Sequence, residues 1–424
     1  MDTHTVGRLP CIIYGLFALV LPLSLEVATG LMWLILVLAL FTACRLPSTI
    51  QRPSLVVLLP AIFFLLHALA ITYTKDIHVG LSELLLKSPL LIFPLAVWLL
   101  PPRREDLRRI LGCFVLGCLL TGLVCFVRSL INYHEMGRMS WLSYTWLSSQ
   151  VRFLPSYLSM YMGFTFFIVS NDWTKEWNKE QIWQKAVGFF ALLFTGYMIV
   201  MLGARLVGVT FFVLLVGGFL TWMYRCNMLL KGIFAVFLFA VALWKLMSIF
   251  FVTRIRMNKI VGKQLVDYDH NFFININDPR GQIWESCLAI IEHMPVYGYG
   301  IDDELETILL QMYDLKNYHH LLPVDTDAHN QYVQTLLLLG YPGLVCLVLM
   351  LALPLYLSWK TKKYLYVLFL LFISVPMLTE CMLETAHGLM YFSFFSSLLS
   401  WLLFRYSLIR SSQCSKDSPV GRVV

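Results

Sequence analysis

Long apolar runs are the feature that most restricts how this 424-residue chain can fold. Hydrophobic residues make up 59% of the chain and charged residues only 13%, whereas a soluble domain carries about 25% charged residues. A helix needs about 20 apolar residues to cross a bilayer, within a range of about 17–25. Such runs recur along the whole sequence, so we predict an all-α polytopic membrane protein.

Twelve apolar segments are candidates for membrane-spanning helices, and Lys87 interrupts the fourth. The first two are short, and we interpret them as a helical hairpin rather than a cleaved signal peptide, because no small-residue cleavage site follows cleanly. The predicted spans are residues 11–26, 30–44, 54–72, 84–100, 110–127, 155–170, 186–203, 206–223, 232–252, 332–357, 364–380 and 388–405.

The distribution of basic residues predicts the orientation of these spans. Cytoplasmic loops carry an excess of Lys and Arg, and with the N-terminus inside, the predicted inner segments hold most of the 32 basic residues. We therefore expect both termini to be cytoplasmic. The net charge of +7 is accounted for by this bias, so membrane lipids are the expected surroundings and no nucleic-acid partner is predicted.

The spans divide the chain into four parts. Residues 1–252 hold spans one to nine with a smaller outer loop near 128–154, residues 253–331 form a large outer loop, residues 332–405 hold the last three spans, and residues 406–424 form a cytoplasmic tail. Apolar positions at helical spacing predict two helices in the large loop. We expect this loop, with helices over 280–295 and 302–317, to be an ordered helical lid.

Three polar residues on the predicted outer side are candidates for chemistry: Arg205, Arg280 and His329. A guanidinium binds phosphate oxygens through two parallel hydrogen bonds and stays charged at any working pH. Two arginines could neutralise a departing pyrophosphate, and a histidine could accept a proton from an attacking hydroxyl. Each also has a simpler explanation, as a snorkelling or surface arginine or as a histidine at a helix start.

A metal site is the competing interpretation of the same region. The side chains of His319, His320, Asp325, Asp327 and His329 lie close in sequence and could bind Zn²⁺ or Mn²⁺. Their spacing matches no standard site, and the ten cysteines form no CxxC pair. We therefore predict no metal, no cofactor and no disulfide framework.

A spaced motif links the large loop to the tenth span. His329 and Asn330 are followed by nine residues and then by the sequence GYPG at 340–343. The loop itself carries Arg280, Trp284, Pro295, Gly298 and Gly300. In these motifs, best matched from about residue 278 to residue 343, and in its layout of spans, the chain resembles the O-antigen ligase superfamily, which is related to O-antigen polymerases and protein O-oligosaccharyltransferases.

The resemblance implies a metal-independent glycosyltransferase that acts on the periplasmic face of the bacterial inner membrane. Its donor would be an undecaprenyl-pyrophosphate-linked glycan and its acceptor a hydroxyl of lipid A–core. By motif position, the resemblance implies His329, Arg280 and Arg205 as catalytic residues. As substrate-binding residues we predict Asn330, Arg152, Arg138, Trp284 and Tyr299.

Three other functions stay open: polymerisation on the lipid carrier, transfer to protein hydroxyls, and transport or flipping of a polysaccharide. A transporter is expected to show inverted repeats and charged residues within its spans. The sequence has no internal repeat, and Lys87 and Lys245 could be buried charges or could snorkel. Gly340 lies eleven residues beyond His329, about 16 Å along a helix, so we interpret the glycines as a kink or close-packing site that admits another helix or a lipid tail.

Overall fold

The computed structural model describes residues 9–45, 53–176, 181–238, 280–321 and 327–416. These residues form helices and no β-strand, which confirms the all-α prediction. In chain order the helices are α1 Leu9–Val20, α2 Leu25–Arg45, α3 Leu55–Ala70, α4 Ile77–Leu86, α5 Pro89–Leu99, α6 Asp106–Met136, α7 Tyr144–Ser149, α8 Pro155–Glu176, α9 Ile182–Leu202, α10 Arg205–Arg225, α11 Leu229–Leu238, α12 Arg280–Ile291, α13 Glu304–Leu315, α14 Gln331–Lys360, α15 Tyr364–Ser374 and α16 Ala386–Lys416.

Several of these helices are long and apolar enough to cross a membrane. Within the described residues five qualify, namely α2, α6, α9, α10 and α14, and a bent pair, α4 with α5, makes up to six. Shorter apolar helices stand at four other predicted spans. The chain is therefore a multi-pass membrane protein, while the count of twelve stays a prediction. Most of the ninth span, the loop segments 253–279 and 322–326 and the tail residues 417–424 lie outside the described residues.

The contacts divide the chain into two compact units, Met1–Gly117 with Gln282–Val424 and Cys118–Gly281. In the first unit α5 packs against α2, α3 and α16, and α14 packs against α3 and α15. Aromatic rings fill the centre: the centroid of Phe17 lies 4.8 Å from those of Phe93 and Phe394. Because helices surround α5, its apolar side chains face protein, whereas α2 exposes Trp33, Val37 and Phe41 as a lipid-facing helix does.

The interruption expected in the fourth span is a break between α4 and α5. The two helices meet at an angle of 43°, and Pro89 opens α5 at a position where its missing N–H costs no hydrogen bond. Lys87 sits at this break and is only 1% exposed. Its Nζ donates to Leu383 O at 2.6 Å and pairs with Glu384, so this lysine is a buried charge and does not snorkel.

The second unit holds the paired helices α8 and α9, with α10 also against α8. Gly203, in the left-handed conformation at φ 56°, ends α9 just before Arg205 begins α10. The smaller loop is shorter than predicted, because α6 continues through residues 128–136. Its remainder carries the ring pair Trp141 and Trp146, with centroids 4.7 Å apart, which is typical of a segment at a membrane interface.

Candidate active site

The start of α14 is built by Asn330. Its backbone is extended, and its Oδ1 accepts the N–H groups of Tyr332 at 3.0 Å and Val333 at 3.2 Å. Asparagine is among the preferred residues at this position because its side chain satisfies amides that have no partner inside the helix. The side-chain oxygen of Asn330 thus accepts hydrogen bonds from the helix amides. A contact between Asn330 and a substrate would therefore be made by its Nδ2.

His329 precedes this cap in a strained backbone conformation. Its φ is 43°, in the left-handed region that costs a residue with a side chain about 1–2 kcal/mol. The carboxylate of Asp327 holds it there: Oδ1 accepts the His329 N–H at 2.7 Å and lies 3.5 Å from its Nδ1. Strain of this kind persists only where the surroundings enforce it, and it is common at functional sites.

Ala328, between Asp327 and His329, holds the turn through both its C=O and its N–H group. Its carbonyl oxygen accepts the indole N–H of Trp284 at 3.1 Å, and its own N–H donates to Gln334 Oε1 at 2.9 Å. Trp284 lies on α12, so the amphipathic loop helix is tied directly to the turn that carries His329. The structure therefore brings three of the predicted site residues together: His329, Asn330 and Trp284.

A buried polar cluster adjoins this turn, and its residues are not among those predicted for the site. Gln331, fully buried, donates through Nε2 to Glu384 Oε1 at 2.8 Å and accepts the Leu383 N–H at 2.5 Å. Glu384 pairs in turn with Lys87. Two features of the sequence indicate polar groups at these positions: a lysine inside an apolar run and the polar stretch TECMLE between the last two spans.

A cavity of about 180 Å³ opens beside the cluster. Asp327 contributes to its wall and also holds His329. Among the described residues that line it, Lys87 is basic, and the carboxylates outnumber it: Glu83, Asp302, Asp303, Glu306, Asp327 and Glu384. Because like charges repel, this space suits the hydroxyl groups of a sugar better than a pyrophosphate.

The glycine motif of α14 is a break in the helix, as predicted, and what approaches it is the backbone of residues 296–300. Gly340 has φ 64° and ψ −161°, so the carbonyl groups before it are released from the helix. Tyr299 N–H donates to Leu337 O at 2.9 Å and Gly300 N–H to Leu338 O at 3.0 Å. Tyr341 N–H donates back to Val296 O at 3.0 Å. The glycines of the loop and of the span thus form one contact.

The lid is anchored at a second point by Asp302. Its Oδ2 accepts the backbone N–H groups of Lys75 at 2.7 Å and Asp76 at 2.8 Å, and its Oδ1 accepts that of Glu304 at the start of α13. This carboxylate at the start of α13 therefore also binds the α3–α4 connection. This part of the loop is an ordered layer rather than a free chain.

The two loop helices are also joined to each other. Glu285 on α12 accepts hydrogen bonds from Lys316 Nζ at 2.8 Å and from Tyr318 Oη at 2.9 Å, just beyond α13. The ammonium of Lys316, followed by the hydroxyl of Tyr318, lowers the pKa of the Glu285 carboxyl. A carboxylate that stays charged keeps the pair of helices together.

The remaining predicted residues are arginines at helix ends and Tyr299. Arg280 is the first residue of α12, and Arg205 is the exposed first residue of α10. Arg152, with φ 59°, and Arg138, before the turn 139–142, are exposed in the second unit. The backbone of Tyr299 is held by α14, while burial raises the pKa of its hydroxyl.

The histidines of the competing metal interpretation do not converge in the described part of the chain. The imidazole of His319 lies 3.3 Å from Asp314 on the exposed side of α13. Among the described residues no three His, Cys, Asp or Glu side chains form a group that could hold a metal ion. Asp325 and the side chain of His320 lie outside those residues.

Part of the chain, including this region, is similar to a known protein family. Residues 186–348 match the family model described as O-antigen ligase. The matched segment is less than half of the chain and contains Arg205, Arg280, Trp284, His329 and the GYPG break. A search of the curated proteins found no match.

Proposed function

We propose that this chain, whose residues 186–348 match the family model described as O-antigen ligase, moves an O-antigen-type glycan from undecaprenyl pyrophosphate to a lipid A–core hydroxyl. The family comprises ligases and polymerases that process O-antigen, with lipid-linked glycans and lipid A–core as general substrates. We place the reaction on the periplasmic face of the inner membrane, with both termini cytoplasmic.

The single observation that supports this best is the turn Asp327–His329 beside the cavity. A carboxylate near Nδ1 favours the tautomer that carries its proton there, which directs Nε2 to the chemistry. In the proposed step, Nε2 takes the proton of the acceptor hydroxyl while its oxygen forms a bond to the anomeric carbon of the donor. The carbon–oxygen bond to phosphate breaks, and its electron pair leaves with the pyrophosphate.

The arginines and the cavity are proposed to bind different substrates. We propose that Arg280 and Arg205 bind the pyrophosphate and offset the negative charge that develops as it leaves. The carboxylate-lined cavity would then receive the acceptor sugar, whose hydroxyls can donate to these acceptors. Asn330 Nδ2, Trp284 and Tyr299 are proposed contacts for the glycan, and Arg138 and Arg152 for the lipid-linked donor.

Deleting the gene tests this function. We expect intact lipid A–core without long glycan, together with long glycan accumulating on undecaprenyl pyrophosphate, because synthesis continues while transfer stops. Electrophoresis of lipopolysaccharide and mass spectrometry of the lipid-linked pool measure both. Single repeat units on the core would instead indicate a polymerase, and normal lipopolysaccharide with lost glycoprotein staining would indicate transfer to protein.

Replacing Arg280 by alanine should lower the transfer rate by about 10²–10³-fold, the usual effect of removing one group that stabilises charge in the transition state. Arg280→Lys should recover only part of this loss, since an ammonium keeps the charge but not the paired hydrogen bonds. Transfer is measured in membranes with extracted donor and acceptor, normalised to protein amount. Arg225→Ala, at an exposed arginine ending α10, is the control. Wild-type rates in Arg280→Ala would remove this residue from the mechanism.

The transporter alternative makes a different prediction for the same deletion. If the protein carried polysaccharide across the membrane, its loss would leave the lipid-linked glycan on the cytoplasmic side. A transporter is expected to have a buried charge within a span, and Lys87 is such a charge in this protein. The ion pair with Glu384 instead gives that lysine a role in the fold of the site.

A further inference from the structure

We infer that Lys87, Glu384 and Gln331 are positioning residues, which hold the turn that carries His329 in its strained conformation. This inference rests on the proposed function of His329, but its structural part can be measured without transfer. Lys87 and Glu384 also line the cavity, and the inference concerns their hold on the turn rather than a contact with the acceptor.

Three helix ends meet in this network. Lys87 caps the C-terminal end of α4, where its own N–H donates to Glu83 O at 3.1 Å. Glu384 ends the short turn Met382–Glu384 that leads into α16, and Gln331 is the first residue of α14. Each comes from a distant part of the chain, so the network sets where α14 begins relative to the other two helices.

Both ends of the Gln331 amide are used. Its Nε2 donates to Glu384 Oε1 at 2.8 Å and to Thr335 Oγ1 at 3.2 Å, and its Oε1 accepts the Leu383 N–H at 2.5 Å. Since Gln331 is fully buried, water cannot replace a lost partner, and the side chain must stay where Glu384 places it. His329 lies two residues earlier, so a shift of Gln331 is transmitted to the imidazole.

Lys87 keeps Glu384 in place rather than acting on the donor. Its ammonium is occupied by Leu383 O and the Glu384 carboxylate. If this lysine were lost, Glu384 would carry a charge with no cation beside it, and breaking one side of a buried pair is more damaging than removing both. Replacing both partners by neutral groups is then expected to be milder than replacing one.

The same turn has a third support in Cys381. Burial raises the pKa of its thiol well above the ordinary value, and the carboxylates of Asp327 and Glu384 add to this effect. The two carboxylates that act on this thiol are Asp327, which holds His329, and Glu384, which pairs with Lys87. The segment 381–384 therefore contacts both sides of the turn, as expected of a support for it.

A double-mutant comparison tests the inference on the full-length protein. Lys87→Met should lower kcat on the order of 100-fold, as small misplacements of a reacting group do, with KM for lipid A–core nearly unchanged. The double variant Lys87→Met/Glu384→Gln should regain at least about tenfold, because coupled residues are not additive and the amide oxygen introduced at position 384 can still accept from Gln331. Lys75→Met is the matched control, since Lys75 forms an exposed pair with Glu304 at 2.6 Å.

Hydrogen exchange of the peptide over 327–335 gives a readout that does not depend on transfer. Exchange should quicken in Lys87→Met and return towards the wild-type rate in the double variant. The inference would be overturned if the double variant were as inactive as Lys87→Met and exchanged as quickly. A wild-type kcat in Lys87→Met would also overturn it. If Lys87→Met yields too little folded protein, the double variant alone decides: near-normal exchange supports the network and rapid exchange overturns it. Wild-type protein that transfers nothing would refute the proposed function, while the exchange data still judge the network.

Discussion

Replacing His329 by alanine is expected to reduce glycan transfer by about 10²–10⁴-fold, the contribution typical of a positioned acid or base, while the amount of protein in the membrane stays unchanged. The side chain is only partly buried, and its backbone is held by Asp327, Ala328 and the cap of α14. Truncation at Cβ therefore removes the imidazole and leaves the backbone hydrogen bonds of the turn in place. The measurement is single-turnover transfer of labelled glycan to lipid A–core in proteoliposomes.

Two further variants define what the histidine does. His329→Gln can still form hydrogen bonds but cannot accept a proton at neutral pH, so its inactivity supports a base, whereas near-normal activity would reduce His329 to a residue that orients the sugar. His319→Ala, ten residues earlier and paired with exposed Asp314, should transfer normally. Loss of activity in His319→Ala, together with inhibition by EDTA, would restore the metal interpretation.

Replacing Gly340 by alanine is expected to destabilise the protein by about 2–5 kcal/mol, combining a forbidden backbone conformation with overpacking. At φ 64° and ψ −161° the residue lies in a region that is essentially restricted to glycine. A Cβ there would collide with Val296 O and the backbone of Tyr297. We expect a lower thermal midpoint in detergent, faster proteolysis of the lid and loss of transfer.

A glycine in open space provides the control for this variant. Gly112 lies inside α6, is exposed, and an added Cβ would meet no atom within 4 Å. Gly112→Ala should be neutral or slightly stabilising, because alanine loses less backbone entropy on folding. Equal stability of Gly340→Ala and wild type would show that the contact between the loop and the broken helix carries little energy.

Local patterns were enough to predict the two helices of the large loop. Apolar positions at helical spacing indicated helices over 280–295 and 302–317, and the structure has α12 at Arg280–Ile291 and α13 at Glu304–Leu315. The ends were overestimated because turns, not helix, follow both. Leu288 is one of the apolar positions at helical spacing in this segment, yet it is 62% exposed, since neighbouring elements decide which side of the helix packs.

The spacing between His329 and the glycines predicted the helix break but not the segment that packs against it. Distance along a helix separated Gly340 from the histidine, and the break predicted at Gly340 is present. Nothing in the sequence identified its partner. The backbone of residues 296–300 forms hydrogen bonds through N–H and C=O groups, which every residue has, so no side-chain pattern could reveal the pairing.

What the sequence by itself determined is what depends on neighbours along the chain: apolar lengths that suit a bilayer, the amphipathic loop helices and the motif that resembles the O-antigen ligases. Only the tertiary structure decided that Lys87, Gln331 and Glu384 meet, nearly 300 positions apart at the extremes. A buried charge must find a partner wherever packing brings one, and packing of distant helices leaves no periodic trace in the sequence. The site is therefore completed by residues whose pairing no local pattern reveals.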